Sequence, residues 1–218
     1  MNTTNNNTIS TPERALYRLR EGNFRFMNNI RQKRNFLQQV QDTAEGQNPF
    51  AAVLSCMDSR TTNEIIFDLG IGDIFSIRIA GNVLSENVLG SLEYACKVAG
   101  AKFIIILGHT SCGAIKGACD DVKLGNLTVL LNKIKPHVRE ETTIVYDRTS
   151  KNDEFVEKVA ALNAKAGIQG IMLQSPILRE MIENGEIGII AAMYHVENGI
   201  VDFFEDSLIL NNAAVTAE

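Results

Sequence analysis

The sequence predicts an α/β domain on a parallel β-sheet core, with one antiparallel C-terminal edge strand and helices on the flanks. Three observations carry that prediction. Continuous apolar runs at 51–54, 74–79, 103–107 and 187–193 alternate with segments of helical periodicity, the pattern of strands buried on both faces and joined by helical crossovers. Each run is followed by Gly, Ser, Asn or a charged residue, which ends a strand and starts a connection. Near the end, Asn198-Gly199 separates two apolar runs. That dipeptide signals a hairpin, because both central turn positions favour positive φ, so the last strand, 200–204, is expected to run antiparallel.

In chain order, the polar, Asn-rich start has too little apolar surface to offset the entropy of ordering it, and residues 1–9 are expected to form a disordered tail. Ser10-Thr11-Pro12-Glu13 reads as a capping box with an early proline, and Leu16, Leu19 and Phe26 follow at near-helical spacing. A second helical piece around Leu37 and Val40 ends near Gly46. Residues 10–46 thus form a helical arm outside the alternating pattern, of the kind that packs on a partner subunit. Residues 47–210 form a single α/β domain. Within it, Val88, Leu92, Ala95 and Ala99 mark one face of a helix that stops at Gly100. Leu127, Leu130, Leu131 and Ile134 mark a second helix, and Phe155, Val159 and Leu162 a third. Ser175-Pro176 opens a fourth that carries Ile177 and Met181.

A net charge of -5, with no dense Lys and Arg run, argues against a nucleic-acid partner. No stretch reaches the roughly 20 apolar residues that cross a bilayer, and the start lacks a basic and an apolar signal region. A soluble, cytoplasmic protein with no membrane partner is expected. Four cysteines are too few, in a chain this long, for the disulfide framework of a small secreted domain. Each is therefore a candidate for metal or catalytic duty.

Two predicted strands run into reactive residues, Ser55-Cys56-Met57-Asp58-Ser59-Arg60 and Gly108-His109-Thr110-Ser111-Cys112-Gly113. In an open parallel sheet, ligands bind outside the carboxyl ends of the strands, so both motifs fall on one rim. Two thiolates and an imidazole from Cys56, His109 and Cys112 suit Zn2+, and three protein ligands leave the fourth position to water, as in catalytic sites. Zinc lowers the pKa of that water to about 7, giving a hydroxide nucleophile for an electrophilic carbon such as that of CO2. Asp58 can accept a hydrogen bond from the hydroxide or occupy the open position itself. Arg60, by pairing bidentately with Asp58, holds the carboxylate off the metal. Cys96, on the apolar helix face, and Cys119, with no partner at ligand spacing, read as packing.

At these residues the sequence resembles the β-class carbonic anhydrases, whose signature is Cys-x-Asp-x-Arg at one strand end and His-x-x-Cys-Gly at another. The resemblance spans roughly residues 10–205 and includes GNFRF from Gly22, RIAGNV from Arg78, SLEYA from Ser91, SPILREM from Ser175 and AAMYHV from Ala191. It implies one Zn2+ per subunit on Cys56, His109 and Cys112, a gate formed by Asp58 and Arg60, and CO2 or bicarbonate as substrate. It also implies substrate-pocket roles for Gln47, Phe75 and Tyr94, a trio that matches the plant-like subtype without strong bicarbonate allostery. Read alone, these three are loop surface, sheet core and helix packing. His195 stands where the family more often has aspartate; packing is its plainer reading, ahead of a proton relay, and with His137 it is a weak shuttle candidate. The family builds dimers and assemblies of dimers, so a homo-oligomer is expected, either a dimer or a dimer of dimers, with each pocket near a subunit interface. Two other functions remain open: a carbonyl sulfide or carbon disulfide hydrolase on the same scaffold, and a regulatory module braced by a structural zinc with Asp58 as fourth ligand.

Overall fold

The computed structural model describes residues 9–211; the tail expected over 1–9 lies, apart from Ile9, outside the described residues. The arm comprises α1 (Pro12–Met27) and α2 (Phe36–Asp42). Thr11, not Ser10, caps α1: its hydroxyl accepts from the Arg14 amide, and Pro12 takes the first helical position, where its missing N–H costs nothing. The one-residue difference reflects two adjacent hydroxyl residues that satisfy the same capping pattern.

Five strands follow, β1 (Ala51–Ser55), β2 (Ile74–Arg78), β3 (Phe103–His109), β4 (Gly188–Tyr194) and β5 (Val201–Phe203), in the spatial order β2-β1-β3-β4-β5. The first four are parallel and β5 pairs antiparallel with β4, as expected. The connection between β4 and β5 is longer than a two-residue turn. It spans residues 195–200 and is closed by the Gly199 amide on the His195 carbonyl at 2.8 Å, and only Gly199 of the Asn-Gly pair has positive φ. Every residue of β1, β3 and β4 is buried.

Helices cover both faces. On one lie α4 (Glu86–Glu93), α7 (Asp153–Gln174) and α8 (Pro176–Glu183), packed around Leu54, Ile104, Ile106 and Ile189. On the other lies α1, whose Ala15, Leu16 and Leu19 meet Val53, Ile105 and Ile190. The short α3 (Asn63–Ile66) and α5 (Gly113–Cys119) were not anticipated, while α6 (Gly125–Glu140) closes a third cluster around Ile115, Leu131 and Ile134. After Glu93 the helix widens into a π turn over Tyr94–Val98, where the Ala99 amide bonds the Tyr94 carbonyl five residues back. This extra residue turns Cys96 inward beside Ala95 and leaves Ala99 only half buried. Of the two apolar residues that the sequence assigned to α8, Met181 is buried and Ile177 is exposed.

Gly22 and Asn23 fix α1 to the domain. A Cβ on Gly22 would lie 1.8 Å from the Phe67 carbonyl oxygen, so only glycine permits this approach. Buried Asn23 donates to the Ile66 and Gly199 carbonyls and accepts from the Val201 amide, joining the arm to α3 and β5. Asn23→Ala strips partners from three buried backbone groups and is expected to cost at least about 2 kcal/mol. A fall of roughly 4–8 °C in Tm, read by calorimetry, is the expected outcome.

Candidate metal centre

Cys56 follows the last residue of β1, His109 ends β3, and Cys112 caps the N-terminus of α5. Parallel pairing of Ser55 with Leu107 sets the first beside the other two. The chain leaves β3 and enters α5 within three residues because Ser111 adopts φ 53°, a left-handed conformation uncommon for a residue with a Cβ. The donor atoms of Cys56, His109 and Cys112 lie within 4.8 Å of one another, and the two sulfurs are 3.9 Å apart.

The ring of His109 is oriented by its neighbour. Nδ1 lies 2.9 Å from the Thr110 carbonyl oxygen, which only accepts, so Nδ1 carries the proton and Nε2 the lone pair. Nε2 is buried without a hydrogen-bond partner among the described residues. Two soft thiols and a neutral imidazole with an uncommitted lone pair fit a zinc ion. The paired Cys112 sulfur and the Gly81 N–H, at 3.3 Å, lower the thiol pKa of Cys56. The neighbouring Cys56 and burial raise that of Cys112.

Asp58 and Arg60 form the bidentate pair expected of them, with Nε 2.9 Å from Oδ1 and Nη2 2.8 Å from Oδ2; the Arg60 amide also donates to Oδ1. The carboxylate still reaches toward the donors, its Oδ2 4.0 Å from His109 Nε2. The Arg60 guanidinium holds the Asp58 carboxyl far below the usual carboxylate range. Arg60 also reaches the Ser111 carbonyl at 3.4 Å, tying the two ligand-bearing loops together.

Sequence reasoning missed several groups around the centre. Gly81, with φ 64°, presents its N–H to Cys56 Sγ, and buried Asn163 from α7 donates to the Gly81 carbonyl at 2.9 Å. Thr61 and Arg78 donate to the carbonyls of Cys56 and Asp58. The RIAGNV run flagged Arg78 and Gly81, but contacts across 20 or more residues have no local signature.

Phe75 and Tyr94 stand together with ring centroids 6.1 Å apart, lining a groove beside β2. They are not brought to the metal cluster of their own chain. Phe75 pairs with Ala52, four residues before Cys56 and so roughly 13 Å along the strand. Gln47 lies exposed ahead of β1, at that same far end. Neither spare histidine joins the cluster: His195 bridges Glu197 and Asp202, and His137 pairs with Glu140. Burial raises the thiol pKa of Cys96 to about 12 and of Cys119 to about 11, in keeping with packing roles.

Three clustered donors among the described residues, on the rim where parallel sheets bind ligands, suit a metal-dependent α/β enzyme. The sequence profile described as "Carbonic anhydrase" matches residues 51–201. The chain is 33% identical over 196 residues to carbonic anhydrase 2 of Mycobacterium tuberculosis, covering 87% of this chain and 91% of that protein. It is 32% identical over 204 residues to a carbonic anhydrase of Mycolicibacterium smegmatis, covering 88% and 93%. Its fold is similar to one of two tetrameric β-carbonic anhydrases of Sordaria macrospora, with TM-score 0.68 and 28% identity over 78% of this chain and 86% of that one. It is also similar to the β-carbonic anhydrase CafA of Aspergillus fumigatus, with TM-score 0.67 and 26% identity over 88% and 90%. The chain belongs to the carbonic anhydrase family, in its β class. No helix among the described residues is long and apolar enough to cross a membrane.

The lowered Asp58 pKa fixes the sign of a pH effect. A carboxyl whose folded pKa is depressed contributes stability that is present above its unfolded pKa of about 3.9 and lost as pH falls toward the folded value. Asp58→Asn is therefore expected to lower the denaturation midpoint at pH 6–7, with the difference from wild type shrinking below about pH 4. Denaturant titrations across that range check it.

Proposed function

We propose that the protein catalyses the reversible hydration of CO2 to bicarbonate and a proton, in the cytoplasm, with one Zn2+ per subunit held by Cys56, His109 and Cys112. The observation that carries this reading is the Asp58–Arg60 ion pair standing beside a three-donor cluster. A zinc ion bound there supplies Lewis-acid activation of water at neutral pH.

The chain's own groups do the rest. The Thr110 carbonyl keeps the His109 proton on Nδ1, and the Gly81 N–H supports the Cys56 thiolate. Asp58, ionised throughout the working pH range, accepts a hydrogen bond from the attacking water and aims its lone pair at the carbon of CO2. Arg60 keeps both carboxylate oxygens engaged, so Asp58 orients water instead of serving as a fourth ligand, which argues against a purely structural metal. Because its pKa is so low, Asp58 does not store the released proton at neutral pH; that proton passes to solvent.

Gln47, Phe75 and Tyr94 are proposed to shape the substrate pocket, the amide of Gln47 meeting an oxygen of CO2 or bicarbonate. Lying far from the metal cluster of their own chain, they serve that role in a homo-oligomer, a dimer or a dimer of dimers, where one subunit lends them to its neighbour's centre. Relatives described as tetrameric support this. The same trio supports the plant-like subtype, with hyperbolic kinetics in bicarbonate.

Stopped-flow CO2 hydration from about pH 6.5 to 9, bracketing the expected zinc-water pKa, tests the proposal. Wild type is expected to hydrate CO2 rapidly, with a rate that rises with pH. Arg60→Ala is expected to retain zinc but lose ~10–100-fold in activity. A zinc-loaded wild type inert toward CO2 yet active on carbonyl sulfide or carbon disulfide would replace this reading with the sulfur-gas hydrolase.

A further inference from the structure

We infer that Arg78 is a positioning residue for the metal centre, holding the loop that carries Cys56 and Asp58. Arg78 is the last residue of the edge strand β2 and pairs with Ser55, the residue before Cys56. From there its guanidinium forks across the loop, with Nε 3.2 Å from the Cys56 carbonyl and Nη2 2.6 Å from the Asp58 carbonyl. One side chain therefore grips the main chain at both residues whose side chains build the site.

The Thr61 hydroxyl reaches the same two carbonyls, at 2.9 and 2.8 Å, but it has a single proton to donate. The Asp58 carbonyl has a further donor in the Thr61 amide at 3.0 Å. The Cys56 carbonyl has, among the described residues, only the hydroxyl and Arg78. Thr61 can thus give each carbonyl one bond, its hydroxyl to Cys56 and its amide to Asp58, and Arg78 is the one side chain that adds a second donor to both from a single rigid plane, which a lysine ammonium, a point donor, cannot span in the same way. Arg78 is exposed and lies outside the core clusters, so its work is directional and its removal need not unfold the domain. The loop would turn about Ser55, moving Cys56 Sγ relative to His109 and Cys112 and the Asp58 carboxylate relative to Arg60.

This inference rests on Cys56 being a metal ligand, and zinc competition against a chromophoric chelator separates the two claims. Purified wild type, Arg78→Ala and Arg78→Lys are titrated, with circular dichroism as the check on folding. Arg78→Ala is expected to stay folded and bind zinc ~10–100-fold more weakly, the range for groups that orient metal ligands. When saturated with zinc it is expected to lose kcat with little change in KM, and to regain part of that activity in added guanidinium but not in ammonium. Arg78→Lys should fall between the two. A folded Arg78→Ala with wild-type zinc affinity and kcat overturns the inference. If Arg78→Ala does not fold, Arg78→Lys decides: weakened zinc binding supports the role, and wild-type binding overturns it. Wild type that takes up no zinc refutes the metal centre itself.

Discussion

The parallel adjacency of β1 and β3 is the constraint on which the rest of the structure depends. Their pairing, from Ala51 with Phe103 to Ser55 with Leu107, brings both strands to one rim, where β1 delivers Cys56 and the longer β3 delivers His109. Side chains alternate across a strand, so a slip of one residue would send Cys56 to the opposite face from its co-ligands. Burial of all residues on both strands prevents that slip, because each register shift would trade a filled core position for another of different shape. The unbroken apolar runs therefore do more than form a core: they set the spacing of a candidate metal site whose donors Cys56 and His109 are more than fifty residues apart in sequence.

A rim assembled this way must be braced, because its loops carry backbone that the sheet does not hold. Ser111 and Asn82 both adopt positive φ beside the centre, at 53° and 43°, conformations that cost about 1–3 kcal/mol each and persist only where the surroundings enforce them. Asn163 holds the Gly81 carbonyl, the Gly81 amide faces Cys56, and Arg60 reaches from the β1 loop to the Ser111 carbonyl. At Gly81 a Cβ would come within 2.7 Å of the Ile134 side chain, so glycine is needed there for space as well as for its φ of 64°. Helices α6 and α7 thus take part in the site from behind, without offering a ligand.

What was legible in the sequence followed from local rules. Apolar runs, caps and the turn glycine gave the strands and the long helices, and the two short motifs gave the three donors and the Asp58–Arg60 pair, because each motif is only four to six residues long and sits at a strand end. The π turn at Tyr94–Val98 was not legible: it depends on how Ala95 and Cys96 pack against the sheet, which no i, i+4 pattern encodes. Nor was the long β4–β5 connection, where Asn198 declines the positive φ that its partner glycine takes and the loop instead supplies Gly199 to Asn23. The brace residues Asn163, Thr61 and Arg78 were hidden for a third reason. Their partners are main-chain atoms, which any sequence possesses, so nothing in the pattern points from donor to acceptor.

Gln47, Phe75 and Tyr94, proposed above for the substrate pocket, are not gathered with the donor cluster of their own chain. Phe75 and Tyr94 stack edge to face on a groove beside the unpaired edge of β2, and Tyr94 is about half exposed although aromatic. The arm leaves Phe36, Leu37 and Val40 exposed together, and α2 buries no residue at all. A seven-residue helix is too short to be stable in water on its own propensity, so its apolar face needs something to cover it. The proposed oligomer answers both features at once: a second copy would cover the exposed apolar face of α2 and bring Gln47, Phe75 and Tyr94, the proposed pocket residues, to a neighbouring donor cluster. In that arrangement covering α2 and completing the proposed pocket would be one event, so the strength of the subunit contact would set how much of the enzyme is competent.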